Sequence, residues 1–369
     1  MLRRDEIDVL ANRIARLYSR FHTTVLESIA RHLANLEYSA AEWQIRRALE
    51  AGLLLVDIQN MLPGLSGAAE DELRRILIDS GRLSLAFDDE IYRAAGFSPI
   101  AMHLNPQNAR ILLAGFNRTF GTMKNLVRTT ALASQALFIK AADMAYMQVV
   151  TGAFSYDDAI RSAVKFAAGE GTNVVYASGF RENIDSAMRK TVLIGVSKTA
   201  GDLQLERAFE MGARHVEVSA HIGARNRGHG PMNHADWQGK VYGLFGDTRY
   251  PDFIETTGYG TGEGLLGYNC RHSFHPYFEG ISKAIYDEKA REDLKHDVTY
   301  RGKKMSQYEA SQVQRSIERH IRQAKRELAA QEAANLQGTS DKIRSWQARM
   351  RNFVKQTGLY RQRIREQIN

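Results

Sequence analysis

Residues 264–280 read GLLGYNCRHSFHPYFEG. They hold the only cysteine of the chain, Cys270, and two of its eleven histidines, His272 and His275, among three glycines and four aromatics. Neither a helix nor a plain surface loop calls for that mixture. Glycines permit turns that other residues resist, while Cys and His can ligate metal, move protons or fill a small core. The stretch closes a segment whose grammar differs from the helical sequence on both sides of it, and so marks an α+β core.

Working upstream from it, Lys240 to Leu244 and His215 to Ala220 have the alternation of strands, the latter with Val216 and Val218 between His215, Glu217 and Ser219. Asn173 to Tyr176 forms a further strand candidate. A long helix is expected over 182–211 with Gly212 as its C-cap. A shorter one over 159–168 has Ser155 as N-cap, Asp158 three residues on, and an end at Gly169-Glu170-Gly171. The core therefore spans 151–280. Residues 1–150 read as a helical region: 5–36 and 68–95 carry helical spacing, and Leu112, Phe116, Phe120, Met123, Val127 and Ala131 form one stripe. Breaks are expected at Pro63-Gly64 and from Pro99 to Pro106. Residues 281–369 return to helix with narrow apolar seams, Val313, Ile317, Ile321, Ala324 and Leu328, then Ile343, Trp346, Met350 and Phe353 beyond Gln337-Gly338-Thr339. Seams that narrow suit packing on a partner helix. The expected class is α+β: a helical N-terminal region, a compact α+β core and a long basic helical tail.

With 369 residues, 44% of them hydrophobic, the chain can bury a sizeable core. One cysteine excludes an internal disulfide framework, and the start, MLRRDEIDVL, is too charged for a signal peptide. The apolar run Leu53 to Val56 is too short to cross a bilayer, so no membrane partner is expected. Charge is concentrated. Residues 281–369 hold 20 Lys and Arg against 11 Asp and Glu, a net of +9, while the rest of the chain sums to −1. Such a tail suits an anionic partner.

Four chemistries fit the residues. Cys270, His272 and His275, with His234 or another loop histidine, offer the thiolate and imidazole donors of a structural zinc, although the spacing matches no standard zinc pattern. Cys270 beside a histidine could also serve as a nucleophile, with Asn269 or Asp236 orienting the ring, which would make the protein a thiol or metal-dependent enzyme. Gly258-Tyr-Gly260-Thr-Gly262-Glu-Gly264 resembles a phosphate-binding loop. The turn that follows, and the absence of a Lys-Ser/Thr pair, point instead to tight turns. Arg344, Arg349, Arg351, Lys355, Arg361, Arg363 and Arg365, interleaved with Trp346, Phe353 and Tyr360, would suit contact with nucleic-acid phosphates, as in a stand-alone DNA-binding protein.

Three strings occur in order: Val216-Glu-Val-Ser-Ala-His-Ile-Gly-Ala-Arg225, His234-Ala-Asp-Trp-Gln-Gly-Lys-Val-Tyr242, and Thr257-Gly-Tyr-Gly followed by Gly264 through Phe274. Together they resemble the tailed-phage minor capsid protein 2 family, a relative of the Mu F-type head morphogenesis proteins. Tyr176-Ala-Ser-Gly-Phe180 and Ser186-Ala-Met-Arg189 extend the likeness upstream. It is good over 147–282, looser before, and not traceable in the tail. The motif positions are His221, Arg225, His234, Trp237, Gln238, Gly239, Asn269, Cys270, Arg271 and His272. The resemblance implies a non-enzymatic structural protein of the virion, in low but multiple copies near the portal vertex. It implies the portal or major capsid protein as neighbour, packaged DNA as a possible contact of the tail, and the host cytoplasm as the place of assembly. It implies no cofactor and no catalytic residue, with a structural zinc left open.

Overall fold

The computed structural model describes residues 4–36 and 42–368. Helices α1 (Arg4–Ala34), α2 (Trp43–Ala94) and α3 (Pro106–Val150) account for most of the first 150 residues. The break expected at Pro63 is absent: α2 runs through it for 52 residues. Pro63 removes one backbone donor and leaves the carbonyl of Gln59 without it. Both residues sit on the exposed side, where water can serve that carbonyl, while Leu54, Ile58, Ala69, Leu73 and Ile76 on the opposite side are fully buried. The break between Pro99 and Pro106 is real. There Asn105 accepts a hydrogen bond from the Gln107 amide at 2.8 Å, and Pro106 takes the first helical position.

Helix α4 (Tyr156–Glu170) starts as expected, with Ser155 Oγ accepting from the Asp158 amide, and ends at Gly171, whose φ is +73°. A short hairpin of β1 (Asn173–Val175) and β2 (Arg181–Asn183) leads into α5 (Ile184–Glu210). After Gly212 come β3 (His215–Val218), the one-turn helix α6 (His234–Trp237), β4 (Val241–Gly243), α7 (Phe253–Thr257) and β5 (Phe274–Tyr277). The three strands form one antiparallel sheet in the order β4-β3-β5, with Val216 opposite both Tyr242 and Pro276. Pro276 lies on an edge strand, where a missing donor costs least.

The region after Ile281 is not purely helical. Beyond α8 (Glu288–Asp293), strands β6 (Asp297–Tyr300) and β7 (Lys303–Ser306) pair as a hairpin. Its two turn residues, Arg301 and Gly302, have φ of +52° and +75°, which suits a tight two-residue turn. Helices α9 (Gln307–Ala333) and α10 (Asp341–Thr357) follow. The narrow seams find their partner within the chain. His320 stacks on Trp346 with ring centroids 4.1 Å apart, Lys342 pairs with Glu327, and Ile317, Ile321, Met350 and Phe353 are buried.

The chain clusters into two compact units, each drawn from three stretches: Met1–Arg13, Asp71–Gly121 and Lys190–Val313 in one, Ile14–Glu70, Thr122–Arg189 and Gln314–Asn369 in the other. Neither coincides with the consecutive segments 1–150, 151–280 and 281–369. The first unit holds the three-stranded sheet and a close helix crossing. A Cβ on Gly115 of α3 would lie 2.1 Å from Thr199 Oγ1 of α5, and one on Gly195 of α5 would lie 2.2 Å from Thr119 Oγ1 of α3. The second unit is centred on Asp185, whose carboxylate takes Arg322 and Arg326 at 3.1 Å each and His22 at 3.5 Å. Burial alone would raise the Asp185 carboxyl, but the two guanidiniums hold it well below the usual carboxylate range.

The crossing sets the first testable expectation. Thr119 Cγ2 and Cβ stand 2.6 and 3.0 Å from the Cβ position at Gly195, so no rotamer of Thr119 clears an added methyl. Despite alanine's higher helix propensity, Gly195→Ala should destabilise the protein by about 1–3 kcal/mol. Chemical denaturation of the full chain measures it; a variant at least as stable as wild type would contradict the crossing.

Candidate metal centre

The core of the first unit is a cluster that includes Val216, Val218, Trp237, Tyr242, Phe253, Leu265, Leu266, Cys270 and Phe274. Into it project His234, at the start of α6, and Cys270 and His272, on the segment leading into β5. One donor atom from each lies within 4.8 Å of the other two, and all three residues are buried. The ring of Trp237 packs against His234 and His272 at 4.6 and 4.9 Å between centroids.

The orientation of each ring follows from its partners. His234 Nε2 lies 2.8 Å from the backbone oxygen of Glu263, an acceptor only, so Nε2 carries the hydrogen. Gln238 Oε1 accepts from the His221 amide at 3.0 Å, which identifies that atom as oxygen; His272 Nε2, also 3.0 Å from it, must therefore donate. In both rings Nδ1 is left as the basic nitrogen, and that of His272 stands 3.5 Å from Cys270 Sγ. Burial lowers the pKa of His234 to about 4, with nearby Arg225 adding to the effect, so the ring is neutral near pH 7.

The remaining motif residues brace this arrangement. Arg225 reaches the Glu263 carboxylate and donates to the Tyr268 oxygen at 2.7 Å, tying the glycine-rich loop to the histidine loop. That loop has no room for a phosphate cradle: a Cβ on Gly264 would sit 2.2 Å from the Gly258 oxygen, backbone packed on backbone. Gly239 has φ +65° and donates to the Val218 oxygen at 3.0 Å. Asn269, with φ +56°, turns the chain into Cys270. Arg271 is buried, donates to the Cys270 oxygen and pairs with Asp8 at 3.2 Å. His221 stacks on His272 with centroids 4.3 Å apart.

His275 does not join the set. Side chains alternate along an extended strand, so Cys270, His272 and Phe274 share one face of the segment while Ser273 and His275 take the other. There His275 Nε2 meets Glu217 Oε2 at 3.2 Å. Glu217 also accepts from the amides of Ile285 and Tyr286, both at 3.0 Å. Burial pushes its carboxyl up, but these donors outweigh it and hold the pKa below its ordinary value. Glu217 was not among the residues expected to matter. The sequence placed it on the polar side of the alternating strand HVEV, and nothing there marked that side as buried.

A nucleophilic role for Cys270 is disfavoured. Its thiol is 3% exposed, and burial raises its pKa although Arg271 and Arg225 act against that. The group orienting His272 is Gln238, not Asn269 or Asp236.

The tail residues divide. Arg349, Arg351, Lys355 and Arg363 are exposed, the first lying over the Trp346 ring at 5.1 Å. Arg344 is exposed but engages Asp341 and Ser340. Arg361 forks onto Glu366 through two bonds, and Arg365 is buried, so these two are not available to DNA as expected. Arg361, Arg363 and Arg365 also lie beyond the end of α10 rather than on it.

The model of the family described as phage minor capsid protein 2 matches residues 2–355. The chain belongs to that family. Its match runs through α9 and most of α10, farther than the motifs alone indicated. The family member described here is similar to a structural protein of Lactococcus phage LL-H, 23% identical over 351 residues that cover 88% of each chain. It is also similar to a structural protein of Lactococcus phage mv4, 35% identical over 128 residues, 32% of this chain and 93% of that one. No solved structure matches it. As a minor capsid family member it is a structural protein of a phage virion, where it contacts other virion components.

The carboxylate of Glu217 is acceptor-only and meets three donors. An amide there would turn its NH2 toward a histidine or a backbone N–H. Glu217→Gln should therefore cost about 2–3 kcal/mol of stability, measurable by denaturant titration at pH 7, and equal midpoints for the two proteins would refute this account of the strand.

Proposed function

We propose that the protein is a non-enzymatic, low-copy component of the phage head, added during assembly in the host cytoplasm and seated at the portal vertex. The observation that carries the reading is the family match across residues 2–355. No helix among the described residues is long and apolar enough to cross a membrane. The docking surface we assign to the portal is on α2. Ile45, Leu49, Leu53 and Val56 are spaced 4, 4 and 3 apart and are 72%, 51%, 45% and 50% exposed, opposite the buried row of Trp43, Glu50, Ala51, Leu54 and Ile58. An apolar row that size on an outward helix face fits a protein partner. Replacing Leu49 and Leu53 together by Glu should leave the circular dichroism spectrum unchanged and remove the protein from purified heads. Incorporation at the wild-type level would sink the docking assignment, as would density for the protein located away from the portal.

The same reading places packaged DNA against the exposed basic face of α10. Support comes from Arg349, Arg351 and Lys355, which are exposed and have no carboxylate partner among the ion pairs of the described residues. Phosphate contacts release condensed counterions, so binding should weaken steeply with salt, by a slope of about 0.9 per contact. With Arg349, Arg351 and Lys355 all changed to Gln, the full chain should bind duplex DNA more weakly, with a log-log salt slope shallower by about 2–3. An unchanged slope, or no binding by wild type at low salt, would leave the tail as a protein-contact element.

A further inference from the structure

We propose that His234, Cys270 and His272 bind one zinc ion, which pins the loop before α6 to the segment before β5. The proposal is independent of where in the virion the protein sits. Zinc takes thiolate at about 2.3 Å and imidazole at about 2.0–2.1 Å, and a tetrahedral angle then separates sulfur from nitrogen by about 3.6 Å. Cys270 Sγ and His272 Nδ1 are 3.5 Å apart, already one edge of such a tetrahedron. The third donor, on His234, falls within 4.8 Å of both, so a small inward shift of one ring completes a three-donor face. Cys with two His is a donor set that suits zinc.

What separates this cluster from a chance meeting of buried side chains is what lies behind it. Metal-bound histidines characteristically donate the far ring N–H to a carbonyl or carboxylate, which fixes the tautomer and aims the other nitrogen at the ion. Both histidines do so: His234 to the Glu263 oxygen at 2.8 Å, His272 to Gln238 Oε1 at 3.0 Å. Those acceptors are held in turn, Glu263 through its ion pair with Arg225 and Gln238 through the His221 amide. Leu266 and Asn269, non-glycine residues with φ of +61° and +56°, bend the chain just before Cys270, in a conformation that persists only where the surroundings impose it. A cleft of about 630 Å³ lined by Ala235, Asp236, Gln238, Arg291 and Tyr308 lies beside the cluster, and Gln238 on its wall is hydrogen-bonded to His272. Three protein donors leave the fourth vertex to a water molecule. On binding, the Cys270 thiol gives its proton to the solvent and the thiolate takes the ion, with no change in oxidation state.

The full-length chain, expressed without an affinity tag that binds metal and purified under reducing conditions, should carry about one zinc per chain by elemental analysis. Cobalt(II) added to chelator-stripped protein should produce the intense visible bands of a tetrahedral site and a sulfur-to-metal charge-transfer band in the near ultraviolet. Cys270→Ser and His272→Gln should each abolish the stoichiometric zinc, and Cys270→Ser should remove the charge-transfer band. If either variant fails to fold, the wild-type cobalt spectrum decides alone, because only thiolate ligation gives that band and Cys270 is the only thiol. Zinc at background together with a featureless cobalt spectrum overturns the proposal. So does stoichiometric zinc that persists in both folded variants.

Discussion

A single buried carboxylate sets the geometry of the sheet. Glu217, 1% exposed in the middle strand, takes His275 from β5 and two amides from the chain beyond it. Because strand side chains alternate, this choice on one face settles the other. With His275 turned to Glu217, Phe274 must face the apolar cluster, and the residues leading into the strand deliver Cys270 and His272 to the same side. A register slip by one residue would set His275 among Val216, Trp237 and Phe253 and turn Phe274 toward Glu217. The buried contact is thus less a source of net stability, since desolvating both groups offsets much of the attraction, than a selector of one pairing over its neighbour.

The second unit uses the same kind of device on helices. Asp185 sits in the first turn of α5, where a carboxylate favours the helix dipole, and gathers Arg322 and Arg326 from α9 and His22 from α1. His22 in turn accepts from the Thr172 amide, next to the glycine that ends α4. Removing Asp185 would leave two guanidiniums without their carboxylate. The helices themselves are long and their apolar faces broad, so many sliding or rotated packings would bury similar area. Buried polar contacts of defined length leave far fewer.

Local signals in the sequence were accurate where the cause is local. Ser155 as a cap, Gly212 and Gly171 as left-handed ends, the Pro99 to Pro106 break and the strands at 173, 215 and 241 all appear close to where residue chemistry puts them. The misses have a common origin. Continuity of α2 through Pro63 depends on burial on the helix's other side, which one chain segment does not disclose. The β6–β7 hairpin lies in a charged stretch that masks the alternation of Val298 and Tyr300 with Asp297 and Thr299. For the candidate centre, β5 was not expected as a strand, and it is the alternation along it that separates His275 from His272. His234 was named with Cys270 from residue type alone; their meeting across 36 positions depends on how the glycine-rich loop folds back on itself. The likeness to the minor capsid family was carried by the core motifs, but its extent through α9 was not, since helical seams tolerate exchange among apolar residues.

Net charge and accessible charge part company in the last 89 residues. The excess of +9 over 281–369 suggests a uniformly cationic tail, yet several of its cations are engaged within the fold. Arg322 and Arg326 pair with Asp185, Arg361 with Glu366 and Lys342 with Glu327. Among the cations that stay outward, Arg349, Arg351 and Lys355 form a short row on α10, whose apolar side, Met350 and Phe353, is fully buried. A flexible basic tail could follow DNA at any angle; a row fixed on a packed helix can meet phosphates only along one line. Contact of that kind would orient the protein relative to the DNA as well as hold it there, a property suited to a component of an ordered head and unneeded in a protein that only condenses nucleic acid.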